Sequence, residues 1–129
     1  MTMAASAYAR ATSFLPANCA RTYTVRSGDF CEAISASQHV STFQLANVNK
    51  GIIDVGCDNL FAGEVLCLGI TGQDCQTVHV VQGGETCDSI AANAGINEAL
   101  LAANNPNIDK NCDNLGSGEV LCTAWSLFV

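Results

Sequence analysis

With 129 residues the chain has room for one medium domain or two small ones. Its net charge is −7 and only five Lys and Arg are spread along it, so it offers no basic patch to nucleic acid or to an anionic membrane. No apolar run approaches the ~20 residues of a bilayer span, and eight regularly spaced cysteines imply a disulfide framework and an oxidising compartment. The alternative for the cysteines, zinc, favours close C-x-x-C pairs, and the sequence has none.

Residues 1–18 are small and weakly apolar, without the continuous apolar stretch of a signal peptide. They read as a mobile N-terminal arm or the remnant of such a peptide. From Cys19 onward the chain is a duplication. Sliding it by 56 places Cys19 on Cys75, Cys31 on Cys87, Leu45 on Leu101, Asn49 on Asn105 and Ile52 on Ile108. One residue near Ile53 then lacks a counterpart, and an offset of 55 carries Cys57 onto Cys112 and Cys67 onto Cys122. Of 48 aligned positions about 20 are identical, too many for chance. The expected divisions are 19–68 for the first unit, 69–74 (GITGQD) for a linker, 75–123 for the second unit and 124–129 for an apolar tail. Each unit is below the size at which a hydrophobic core suffices alone, which accounts for the cysteines. Each carries a full set of four, so pairing is expected within units. Three pairings per unit stay open at this point.

Within a unit the pattern predicts strand, helix, helix, strand. Thr22–Val25 and Val78–Val81 alternate, with Tyr23 and Val25 on one face. Ser27-Gly28-Asp29 and Gly83-Gly84-Glu85 break the strand, and the acid suits the N-terminus of a helix starting near Cys31 or Cys87. His39 and Gly95 close that helix; Gly95 suits a left-handed C-terminal residue. Ser41 and Asn97 are N-caps for a second helix, stopped by Lys50-Gly51 in one copy and Pro106 in the other. A short strand follows at Glu64–Leu68 or Glu119–Thr123. Two such strands pair antiparallel with both helices on one face, giving an α+β unit. Trp125, Leu127, Phe128 and Val129 are expected to pack on the second unit, Trp125 included; a contact with a second chain is the alternative.

Two histidines, His39 and His79, have no nucleophile nearby in sequence; His79 is expected as a packed ring and His39 as a helix-end residue. Asp54, Asp58 and Glu64 recur as Asp109, Asp113 and Glu119. A glycosidase needs two carboxylates flanking one bond. Recurrence of the acids in two units this small argues for surface or structural roles, with Asp58-Asn59 as turn chemistry.

The ordered set Tyr23-x-Val25-x-x-Gly28-Asp29, Cys31-x-x-Ile34, Leu45-x-x-x-Asn49-x-x-Ile52 and Asn59-Leu60-x-x-Gly63-x-x-Leu66-Cys67 resembles the LysM module. The second copy is the closer match: it keeps Gly84-Glu85-Thr86 and Asn105-Pro106-x-Ile108. The four-cysteine decoration is similar to the fungal branch of that family, secreted LysM proteins without an enzyme domain. The resemblance implies two tandem βααβ modules, an extracellular and cell-wall-associated setting, no cofactor or metal, and no catalytic residue. It also implies binding of chitin or other β-1,4-linked N-acetylglucosamine oligomers in a shallow groove between two loops. Site one would be Ser27, Gly28, Asp29 and Phe30 with Asn49, Lys50, Gly51, Ile52 and Ile53. Site two would be Gly83, Gly84, Glu85 and Thr86 with Asn105, Pro106, Asn107 and Ile108. Glycine lets main chain approach a ligand closely. Ile52 or Ile108 would meet the acetamide methyl, and Asn105 and Asp29 the polar groups of the sugar. Site one departs from the pattern at Phe30 and Lys50-Gly51. The other readings are a structural or protein-interaction module that has lost sugar binding, a homodimer formed through ligand or tail, and a hydrolase or hydrolase inhibitor.

Overall fold

The computed structural model describes residues 15–54 and 56–128. Most of the expected N-terminal arm, and Val129, lie outside these residues. The first copy comprises β1 (Cys19–Thr24), α1 (Cys31–Gln38), α2 (Thr42–Val48) and β2 (Val65–Ile70). The second comprises β3 (Val78–Val80), α3 (Cys87–Ala94), α4 (Glu98–Asn104) and β4 (Val120–Cys122). Both copies therefore have the expected element order, and each forms its own two-stranded antiparallel sheet. Register runs Thr22↔Cys67, Tyr23↔Leu66 and Thr24↔Val65 in one, and Val78↔Cys122 and Val80↔Val120 in the other. β1 starts at Cys19 because it keeps pairing outward to Ile70, past an irregularity at Arg21. Gly69 and Ile70, in the stretch expected as linker, thus belong to β2.

The N-caps of the second helix in each copy are those the sequence predicts. Ser41 accepts from the Gln44 N–H and Asn97 from the Leu100 N–H, each closing the first turn of a helix. α1 and α3 both end in a left-handed residue: Gly95 at φ 74° and, less expectedly, His39 at φ 57°. The helices bury one side on the sheet. Val25, Ile34, Val40, Leu45, Ile53, Leu66 and Leu68 form one core. Val81, Ile90, Ala91, Leu101, Ile108 and Leu121 form its counterpart. Disulfides staple each of these small cores: Cys19–Cys67 and Cys31–Cys57 in the first, Cys75–Cys122 and Cys87–Cys112 in the second. All eight cysteines pair within their own copy.

The copies are packed together. β4 has an outer edge that β3 cannot serve, and its Val120 N–H donates to Thr42 Oγ1 at the start of α2, 2.9 Å away. The connection is pinned by Asp74. Arg21 donates to both of its oxygens at 2.7 Å, and Gln44 Nε2 donates to one at 2.9 Å. Gln44 also accepts from the Cys75 N–H at 3.1 Å. Gly69 is required below this cluster, because a Cβ there would collide with the Asp74 carboxylate and Gln44 Nε2.

The tail divides. Asn104, 2% exposed, donates to the Ser126 carbonyl and accepts from the Phe128 N–H. Phe128 packs against Cys75, Cys122 and Ala124. Trp125 does not pack as expected. It is 85% exposed, with Leu127 at 59%, while Asn104 holds the main chain on its C-terminal side.

Candidate binding site

The loops singled out by sequence are the one after the first strand and the one after the second helix of each copy. In each copy a disulfide bridges the ends of these two loops. Cys31 directly follows the first loop and Cys57 lies just beyond the second, with Cα atoms 6.3 Å apart; Cys87 and Cys112 are 6.2 Å apart. The end of the second loop is built by Asp-Asn turn chemistry repeated in both copies. Asn59 accepts from the Asp54 N–H and donates to the Ile52 carbonyl, while Asp54 accepts from the Asp58 N–H. Asn114, Asp109, Asn107 and Asp113 do the same in the second copy. The bonding carboxylates are Asp54 and Asp109, whereas Asp58 contributes its main chain. That is why these acids recur.

Several predicted ligand contacts have structural occupations instead. Asn49 and Asn105 are fully buried. Asn105 Nδ2 donates to the Leu101 and Cys122 carbonyls and its Oδ1 accepts from the Cys122 N–H, all at 2.8 Å. Asn49 repeats this with Leu45 and Cys67. Each amide closes the open edge of its sheet and the frayed end of its helix with both of its N–H donors, and its full burial keeps it from the loop surface. Ile53 and Ile108 are each 9% exposed and belong to the cores.

The two acids, Asp29 and Glu85, are turn clamps rather than helix caps. Asp29 Oδ2 accepts from Tyr23 Oη at 2.6 Å and from the Arg26 N–H at 2.8 Å. The Tyr23 hydroxyl, followed by that N–H, holds the carboxyl below its usual range, and the same bond raises the Tyr23 hydroxyl. Glu85 accepts from His79 Nε2 at 2.8 Å and from the Gln82 N–H at 2.7 Å; these partners, His79 first, lower it likewise. His79 is thus a partly exposed partner of Glu85 and not the packed ring expected from sequence. The helix N-caps are the next residues. Thr86 forms a reciprocal capping box with Ser89. Phe30 makes no side-chain cap and leaves its ring 59% exposed.

The alignment of the second loops also changes. Ile53, not Ile52, takes the place of Ile108: both are core residues, and the Asn59 and Asn114 amides bond the carbonyls of Ile52 and Asn107. The extra residue therefore falls at Lys50-Gly51, opposite Pro106. Gly51 has φ 86°, a conformation that suits glycine.

What remains for a ligand is main chain plus a few side chains. Ser27, Gly28, Lys50 and Gly51 are exposed in one copy, and Gly83, Gly84 and Pro106 in the other, with Ile52 and Asn107 partly so. Gly28 and Gly84, at φ 89° and 84°, have open space where a Cβ would stand, so they shape the turn and do not relieve crowding. A cleft lined by Phe43, Asn47, Val48, Ile70 and Phe128, and another by Val78, His79, Ile90 and Asn93, lie elsewhere.

Beneath the second loop sits a recurrent acid that sequence alone read as surface or structural. Glu119 accepts from Asn107 Nδ2 at 2.6 Å and from the Gly116 N–H at 3.2 Å. Its equivalent, Glu64, is 6% exposed, and burial raises its carboxyl above the usual range, against the pull of the Phe61 N–H. Among the described residues no helix is long and apolar enough to cross a membrane.

The LysM domain model matches residues 23–69 and 79–123. The non-secreted LysM effector LCP1 of Gibberella moniliformis is 36% identical over 107 residues, covering 81% of this chain and 14% of that protein. A secreted LysM effector of Pochonia chlamydosporia is 33% identical over 112 residues, covering 84% of this chain and 16% of that protein. The chain thus spans about a seventh of the length of these relatives, which include both secreted and non-secreted proteins. The spore cortex-lytic enzyme SleL of Bacillus megaterium QM B1551 aligns over 84% of this chain and 23% of its own, at 22% identity and a TM-score of 0.41, too loose a likeness to bear on chemistry. With two matched segments covering most of its length, each folded as strand, helix, helix, strand, the chain belongs to the LysM domain family.

Proposed function

We propose that the chain is a non-catalytic carbohydrate-binding protein that takes chitin or β-1,4-linked N-acetylglucosamine oligomers on its paired loops, sequestering or coating the polymer. The observation that carries this reading is the duplicated loop pair. Each is held at its ends by a disulfide and an internal amide, and each presents exposed glycine-rich main chain. Main-chain N–H and C=O groups suit an acetamide, and Ile52 or Pro106 offers small apolar area to its methyl. The second copy is the better-ordered site, because Thr86, Pro106 and the Asn107–Glu119 bond fix its loops. Against hydrolysis, Asp54 and Asp109 are spent on turns, and Asp29 and Glu85 on clamps. Four disulfides fit a secreted, wall-associated setting, and the net charge of −7 fits neither nucleic acid nor an anionic membrane.

Pull-down on insoluble chitin with cellulose as control tests the proposal, followed by calorimetric titration with oligomers of increasing length. Retention on chitin alone is expected, without release of shorter sugars; retention on neither polymer refutes it. The exposure of Trp125 and Leu127 favours a second reading, self-association through the tail. Sedimentation of the W125A variant against the parent tests that.

A further inference from the structure

We propose that Glu64 is a positioning residue of the first binding loop: uncharged, it is tolerated in the buried place that Glu119 occupies beneath Asn107 in the second copy, and on ionising it displaces Lys50–Ile53, so that sugar binding by the first copy weakens as pH rises while binding by the second does not. The proposal deepens the sugar-binding reading given above and rests on it for its consequence, though not for its mechanism.

The two copies supply an internal control. Glu119 sits just ahead of β4 and has a donor for each oxygen, Asn107 Nδ2 and the Gly116 N–H. Glu64 sits just ahead of β2, is 6% exposed, and has no hydrogen-bond partner for Oε1 among the described residues. The second oxygen's donor is lost through a substitution in the second loop, which also carries the extra residue. Ile52 stands where the second copy has Asn107, and it packs on the first core instead of reaching down with an amide. A neutral carboxyl is tolerated in such a place, but a carboxylate with an orphaned oxygen is not. Burial accordingly lifts the Glu64 carboxyl above its ordinary range.

The charged residues of the surrounding segments are Arg26 and Asp29 on the first loop, Glu32 at the start of α1, and Lys50, Asp54 and Asp58 on the second loop. None forms a hydrogen bond or ion pair with Glu64 among the described residues. Asp29 is held by Tyr23 and Arg26, and Asp54 by Asp58. Glu32 approaches Gly118 of the second copy. Among the described residues neither Arg26 nor Lys50 is paired with Glu64 to receive the charge. The loop can respond, because it carries the extra residue, with Gly51 at φ 86° and local bonds from the Ile52 and Ile53 N–H groups to the Asn49 carbonyl. It takes no part in the β1–β2 pairing, and the bridge between Lys50 and Ile53 lies within it.

The test uses the whole disulfide-bonded chain, first without ligand. NMR follows the Glu64 and Glu119 side-chain carboxyl signals and the Gly51 and Asn107 amides from about pH 4 to about pH 8, the range above the ordinary carboxylate value. Glu64 is expected to titrate above the ordinary carboxylate range, with the Gly51 amide shifting in step and the Asn107 amide static. Titration with a chitin oligomer at the two ends of that range, read at the same amides, is expected to show about tenfold weaker binding at the first copy per unit of upward shift, and no change at the second. I52N supplies the missing amide and E64Q removes the charge; each is expected to abolish the pH response of Gly51. Glu64 titrating in the ordinary range, a static Gly51 amide, or a pH response that survives both variants would overturn the proposal. Failure of both copies to bind oligomer would refute the sugar-binding reading and leave the ligand-free titration to decide the role of Glu64.

Discussion

Truncating Asn105 to alanine removes three buried hydrogen bonds without touching the exposed loop surface. The Leu101 carbonyl and both main-chain groups of Cys122 lose their partner, each at 2.8 Å, in a place fully closed to water. Leaving a buried polar group unsatisfied costs about 1–3 kcal/mol. Relaxation and entering water reduce the sum, so N105A should lose about 3–5 kcal/mol. A module of this size has roughly 3–7 kcal/mol to lose. The second copy of N105A should therefore be largely unfolded while its disulfides remain closed. Urea denaturation followed by circular dichroism, with hydrogen exchange read separately for β3–β4 and β1–β2, measures this. Protection should fall first at Val78–Val80 and Val120–Cys122. A loss below about 1 kcal/mol together with abolished oligomer binding would refute the reasoning, and would return Asn105 to the ligand-contacting role that its place in the sequence motif implies.

Asp74→Ala should cost about 2–4 kcal/mol, since it strips two charge-assisted bonds from Arg21; a double-mutant cycle with R21A checks that the loss is shared. Replacing Cys87 and Cys112 by serine should cost about 2–5 kcal/mol and loosen the loops around Glu85 and Asn107, read as a lower melting temperature and faster exchange there. Asp29 and Glu85 have lowered carboxyls, so their stabilisation is present above the ordinary carboxylate range and fades as pH falls through the lowered values. Y23F should therefore flatten the acid limb of the stability profile. Glu64, with a raised carboxyl, acts with the opposite sign: it is most favourable at low pH, and its contribution declines as pH rises from the ordinary value toward the raised one.

Much of the fold was legible because it is encoded locally and twice. Ser41 and Asn97 mark helix starts by their own chemistry, and the repeated cysteines and apolar positions give the element order. The site was less legible because a motif residue does not announce its direction. Asn49 and Asn105 stand in the right loops but turn inward to a sheet edge that sequence spacing cannot reveal. Asp29 and Glu85 look like helix caps until Tyr23 and His79 are seen reaching them across the turn. Glu64 and Glu119 share the run Gly-Glu-Val-Leu-Cys; the partner that separates them depends on Ile52 and Asn107, equivalent only once the extra residue is moved to Lys50-Gly51. The Val120–Thr42 contact lies 78 residues apart and follows no periodicity.

The docking of one copy on the other has a direction. Arg21, Thr42 and Gln44 of the first copy receive the connection and β4, and their counterparts in the second, Thr77, Glu98 and Leu100, are of a different chemical kind. A third unit joined behind the second would meet a hydroxyl in place of the guanidinium, a carboxylate in place of the hydroxyl and an apolar chain in place of the amide. The pair is therefore built like a socket and a plug, and cannot grow into a regular array by repeating the same joint.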